Sequence, residues 1–190
     1  MKQELNLLDG YTPTNDLLND AKQIIEVSQK AAYRAVNLAL VQRNWLLGYR
    51  IAQEELKGEG RSEYGTAVIR KLAKELTAEY GKGFDYSSLY KYFRFYKLYP
   101  EIVDSVSPQS GALLSWTHYR VLLQVEDKTA RDWYTKEAAN QTWSVRTLQR
   151  NISSQYYYRL LKSQNQEPVK QEMEKLTVGY QADKLEFIKN

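Results

Sequence analysis

From residue 16 to residue 57 the chain contains no proline, and apolar or small residues return every three to four positions. The series runs through Leu17, Ala21, Ile24, Ser28, Ala31, Ala35 and Leu38, is interrupted at Gln42, and resumes through Trp45, Tyr49, Ala52 and Leu56. That spacing predicts one very long helix, or two nearly collinear ones broken near 44–48. At about 1.5 Å per residue an unbroken helix outruns a small domain, so part of its apolar face overhangs its own core. A second copy of the chain is the expected cover, making a homodimer through the helix 16–57; a helix pair folded back within the monomer is the alternative.

The glycines at 58 and 60 mark a turn, and Ser62 is suited to cap a second helix that reaches Tyr80 with Val68, Leu72, Ala73 and Leu76 inside. Gly81 and Gly83 then stop that helix and turn the chain, while Pro100 bars continuation of the element that follows. Helix, tight turn and a basic, aromatic second helix are the outline of a helix-turn-helix. On a wheel of about 100° per residue, Tyr86, Leu89, Tyr90, Tyr92, Phe93 and Tyr96 share one broad side, which is expected to be packed. Opposite them stand Ser87, Lys91 and Arg94, three donors aimed the same way at phosphate or base edges. Their other reading is an ordinary solvated helix face.

A Ser, Pro and Gly-rich loop, 104–111, separates this half from a second helical block. Ser115 can cap a helix 116–124, Asp127 another to Ala139, and Ser144 a last one reaching about Leu161. Along that last helix Arg146 and Arg150 lie one turn apart, with no acidic residue between Trp143 and Lys162. Paired guanidiniums suit phosphate oxygens or guanine edges, unless Asp132 or Glu137 of the preceding helix engages them. Tyr156, Tyr157 and Tyr158 cannot all face one core, so at least one is expected to be exposed or to cover a partner.

Charge sharpens this picture. Residues 1–60 hold 7 Lys or Arg against 8 Asp or Glu, whereas residues 81–162 hold 12 against 7. The positive excess sits on the candidate contact helices, as a footprint for a phosphate backbone would. With no cysteine there are no disulfides and no cysteine-bound zinc, and a reducing cytosol suits the chain. No apolar run reaches the roughly 20 residues of a membrane span, so a cytoplasmic protein is expected. His118 is the one histidine and is read as structural; no nucleophile–base pair, metal cluster or phosphate loop is found, hence no catalytic residue, cofactor or small-molecule substrate. Glu55-Leu56-Lys57 copies the end of a nuclease carboxylate–lysine signature, but on an amphipathic helix with no partner carboxylate it is set aside.

Five ordered words carry a family resemblance: Arg61-Ser-Glu-Tyr-Gly65; Gly81-Lys-Gly-Phe84 with Leu89 and Phe95-Tyr96; Leu114-Ser-Trp-Thr-His-Tyr-Arg120; Arg131-Asp-Trp-Tyr134; and Trp143-Ser-Val-Arg146 with Leu148 and Arg150. In order and spacing they resemble the N-terminal domain of YhcG-type bacterial proteins, over roughly residues 16–162. The resemblance implies a helical, helix-turn-helix or winged-helix-like DNA-binding or interaction module that precedes a nuclease domain of the PD-(D/E)XK type. It also implies that the nuclease domain would begin near Asn190, so its catalytic residues have no counterpart here.

The expected architecture is all-α: a long N-terminal helix followed by a helix-turn-helix-like bundle, with room for a minor winged-helix-like β element. Residues 1–15 form a flexible lead-in, 16–162 the helical domain, and 163–190 a linker and the start of the nuclease domain. The expected function is a non-catalytic DNA-binding and dimerisation module, with DNA preferred to RNA. Lys91, Arg94, Arg146 and Arg150 are its principal contacts, assisted by Lys82 and Ser87. The alternative is a protein-interaction module built on the 16 tyrosines.

Overall fold

The computed structural model describes residues 11–56, 62–102 and 114–178. The turn expected at 58–60, the loop 104–111, residues 1–10 of the lead-in and the junction 181–190 lie outside them. Every regular element among the described residues is helical, so the all-α expectation holds and no β wing is found there.

Helix α1, Leu17–Leu56, is unbroken over 40 residues, about 60 Å at 1.5 Å per residue. Asp16 caps its start, its carboxylate accepting from the Leu18 and Asn19 N–H groups. Only the second half packs: Val41, Asn44, Gly48, Ile51 and Ala52 are buried. The first half overhangs as the periodicity predicts, with Leu17 85%, Leu18 64%, Ile25 56% and Val36 58% exposed.

Helix α2, Ser62–Tyr80, a 3-10 turn, Lys82–Phe84, and helix α3, Tyr86–Leu98, follow. The α2 helix buries Ile69 and Ala73, leaving Val68 half-buried. Against the last turns of α1 and against α3 they complete a first apolar cluster of Ile51, Ile69, Ala73, Leu89 and Tyr92.

The second block holds α4, Trp116–Leu122; α5, Lys128–Asn140; α6, Val145–Ser153; α7, Tyr156–Lys162; and α8, Glu167–Thr177. Ser115, Asp127 and Ser144 cap α4, α5 and α6 as the sequence predicts, each accepting from a first-turn backbone N–H. A larger core forms here around Phe95, Leu122, Tyr134 and Leu148, all essentially solvent-free. Each such side chain contributes on the order of 1.5–3 kcal/mol by burial. Trp116 joins the two clusters, its ring edge-on to Tyr92 at 5.1 Å and to Phe95 at 5.3 Å.

Three expectations are corrected. The helix opened by Ser144 does not run to Leu161: Gln155 takes a left-handed conformation, φ 54, and separates α6 from α7. The break re-aims Tyr156 and Leu160 into the core, and the Tyr157 N–H donates to the Tyr134 hydroxyl at 3.0 Å. For the same reason none of Tyr156–Tyr158 is exposed, since Tyr157 packs on the Trp133 ring and Tyr158 donates to the Asp127 carboxylate at 2.8 Å. Finally, the segment read as linker is partly a packed helix: Pro168 stands in the first turn of α8, and Met173 is 2% exposed against α7.

Candidate nucleic-acid interface

The helix-turn-helix segment is built as its residues require. Gly81 adopts φ 85, a conformation that strains any residue with a Cβ, and ends α2. Asp85 then caps α3, its carboxylate accepting the Ser88 N–H at 2.8 Å. The Tyr92 hydroxyl reaches back to donate to the Gly83 carbonyl at 2.9 Å, tying the turn to the helix it precedes. Arg43 lays its guanidinium 5.2 Å from the Phe84 ring, holding the turn against α1.

Helix α3 is flanked by α1, by α2 and by Trp116 of α4, so only a strip of it reaches solvent. That strip holds Ser87 and Lys91, whose Nζ donates to the Ser87 hydroxyl at 3.0 Å. Lys82 opens the preceding turn and is exposed. Arg94 shares the face but is half-buried, and its Nη2 donates to the Leu123 carbonyl at 3.1 Å, across to the C-terminal end of α4. A cation at a helix C-terminus meets the negative end of the helix dipole, so Arg94 holds α3 to α4.

Tyr86 and Tyr90 differ from expectation. The wheel places them with the packed residues, yet they are 39% and 43% exposed and stack on one another, centroids 6.2 Å apart and planes 11° off parallel. The Arg70 guanidinium lies 5.9 Å from the Tyr86 ring. Conversely Phe95, absent from the expected packed side, is solvent-free. The buried side of α3 is turned toward α4 because Phe95 is gripped by Trp116 and Tyr119. The exposed strip therefore interleaves bases with aromatic rings: Lys82, Tyr86, Ser87, Tyr90 and Lys91, with Arg70 beside them.

The second candidate surface stands apart. Arg146 and Arg150 lie on α6, which packs on α4, α5 and α7. Arg146 is exposed, whereas Arg150 is half-buried with its Nε enclosed and without a hydrogen-bond partner.

His118 is structural, as expected. Its Nε2 donates to the Trp143 carbonyl at 2.9 Å, which leaves Nδ1 to accept from the Ser115 hydroxyl at 2.7 Å and backbone N–H at 3.3 Å. With the His118 N–H donating back to the Ser115 hydroxyl, this closes a capping box and fastens α4 to the start of α6. Among the described residues no cluster of His, Asp or Glu could hold a metal ion, and no helix is long and apolar enough to cross a membrane. Glu55, from the set-aside triplet, pairs with Lys97 at 3.6 Å.

The chain is 27% identical over 196 residues to the Escherichia coli (strain K12) protein "Putative nuclease YhcG", covering 88% of this chain and 52% of that protein. It thus spans about half the length of that relative. No solved structure matches significantly. The family model described as the DUF1016 N-terminal domain matches residues 20–159, and the chain belongs to that family.

Proposed function

We propose that this chain is the DNA-binding and dimerisation module of a nuclease-type protein, without catalytic chemistry of its own. The observation that carries this reading is the strip along the turn and α3: exposed Lys82 and half-buried Lys91 beside the stacked Tyr86–Tyr90 pair, on a helix otherwise packed against α1, α2 and Trp116 of α4. Cations meet backbone phosphates, and flat rings and hydroxyls offer stacking and hydrogen bonds to bases. Arg146, exposed on α6, forms a further part of the contact surface, with Arg150 one turn along the same helix. The similarity to a protein named for nuclease activity supports the context, since a recognition module is what a nuclease domain would carry.

The alternative, a protein-interaction module built on tyrosine, rests on exposed rings. Of its main sequence support, the Tyr156–Tyr158 run, Tyr156 is buried, while Tyr157 and Tyr158 are half-buried and held by Trp133 and Asp127. Titration of labelled duplex DNA at two salt concentrations tests the proposal. Affinity should fall steeply with salt as neutralised phosphates release their counterions; affinity that stays flat, or no binding at all, overturns it.

A further inference from the structure

We infer that the overhanging half of α1 pairs antiparallel with the same helix of a second copy, residues 16–29 of one chain lying along residues 30–43 of the other. This rests on the dimerisation reading and adds its orientation and register.

The first observation is a change of side. In the second half of α1 the residues facing the body are Val41, Asn44, Gly48, Ile51 and Ala52. Carried back at about 100° per residue, that face meets Asn19, Gln23, Glu26 and Lys30, while Leu17, Ile24 and Ala35 fall on the opposite side. The apolar stripe of the overhang thus points away from the bundle, with Leu17 85% and Ile24 38% exposed, and the exposed Leu18, Ile25 and Val36 flank it on a neighbouring side. The spacing of Leu17, Ala21, Ile24, Ser28, Ala31, Ala35 and Leu38 is the three-four alternation of a two-helix seam.

Size and charge then choose the orientation. Along the stripe the large Leu17 and Ile24 come first, and the small Ala31 and Ala35 come later, ahead of Leu38. A parallel pair would set Ile24 on Ile24 and Ala31 on Ala31, crowding one end and leaving a gap at the other. The antiparallel pair sets Ile24 on Ala35 and Ala21 on Leu38, large against small in those two layers, with the two-fold axis between residues 29 and 30. Charge follows the same division. Residues 16–29 carry Asp16, Asp20 and Glu26 against Lys22, whereas residues 30–43 carry Lys30 and Arg34, besides the Arg43 seated on Phe84, and no carboxylate. Only the antiparallel arrangement lays the acidic stretch along the basic one. The Glu26–Lys30 pair within one helix, 3.9 Å and exposed at both ends, is loose enough to rearrange.

The chain has no cysteine, so single-cysteine variants report the geometry directly. Ile24→Cys and Ala35→Cys, both on the exposed overhang, are mixed at equal amounts and oxidised, and Ile24→Cys is oxidised alone. The expected result is a disulfide-linked dimer from the mixture and none from Ile24→Cys alone. Efficient crosslinking of Ile24→Cys by itself means a parallel pair and overturns the inference while leaving dimerisation standing. Sedimentation of the unsubstituted chain as a monomer at tens of micromolar removes the dimerisation reading itself.

Discussion

Gly48 of α1 lies against the backbone carbonyl of Tyr92 on α3, so closely that a Cβ at Gly48 would stand 2.0 Å from that oxygen. The two helices meet there with no side chain between them, and Tyr96 Cβ closes the same spot at 3.1 Å. In the sequence Gly48 lies at the break that divides the long helix in its two-helix reading; in the fold it is where the helix is approached. Gly48→Ala must push α3 off α1 and should destabilise the chain by about 3 kcal/mol, the upper range for overpacking. Urea unfolding followed by circular dichroism measures it. Gly83→Ala, with nothing within 4 Å of the added carbon, should be close to neutral and serves as the control.

Arg94→Ala should act on stability. It leaves the Leu123 carbonyl without its charged donor, a loss of about 1.5–3 kcal/mol for a hydrogen bond to an ionised group. Lys91→Ala removes only an exposed bond to Ser87 and should change the unfolding midpoint little. Thermal melts of the two variants side by side check the distinction.

Removing the His118 ring should loosen the junction of α4 with α6. His118→Ala loses the Trp143 carbonyl bond and half of the capping box together, and should cost about 1–3 kcal/mol. Hydrogen exchange should show the new protection loss at the starts of α4 and α6; protection unchanged there would contradict the role given to the ring.

Alkaline pH should unfold the protein through its buried tyrosines. Burial pushes Tyr99 up to about 12, its bond with Thr135 opposing only in part. Burial also raises Tyr119, Tyr92, Tyr134 and Tyr156. A folded-state pKa above the unfolded value gives stability that is complete below pH 10 and is lost as the pH climbs toward the folded value. Tyr99 alone should remove on the order of 2 kcal/mol by pH 12. Tyrosinate absorbance should therefore rise in two stages, exposed rings first and buried rings together with loss of helix.

Much of this architecture is legible in the sequence because its signals are local. Asp85, Ser115, Asp127 and Ser144 are side chains suited to capping standing before apolar periods, and each does cap a helix. What the sequence hides depends on contacts between elements. Gln155 breaks the last helix without glycine or proline to mark it, because the gain lies in the re-aimed Tyr156 and the Tyr157–Tyr134 bond. Within α3 the wheel yields one apolar side where the fold needs two, since α1 and α4 grip different residues; that leaves Tyr86 and Tyr90 outside and Phe95 inside. Arg94 reads as a surface cation because nothing near it in the chain announces the Leu123 carbonyl, 29 residues away.

The central claim is that the turn and the open strip of α3 bind DNA, and fluorescence-anisotropy titration of labelled duplex with the Lys82→Ala/Lys91→Ala double variant tests it most directly. Lys82 is exposed, and Lys91, half-buried, makes only an exposed bond to Ser87, so the variant should keep its circular dichroism spectrum while affinity drops and the log–log salt slope shrinks by about 2, one for each lost phosphate contact. Unchanged affinity and slope in a folded variant would contradict the account.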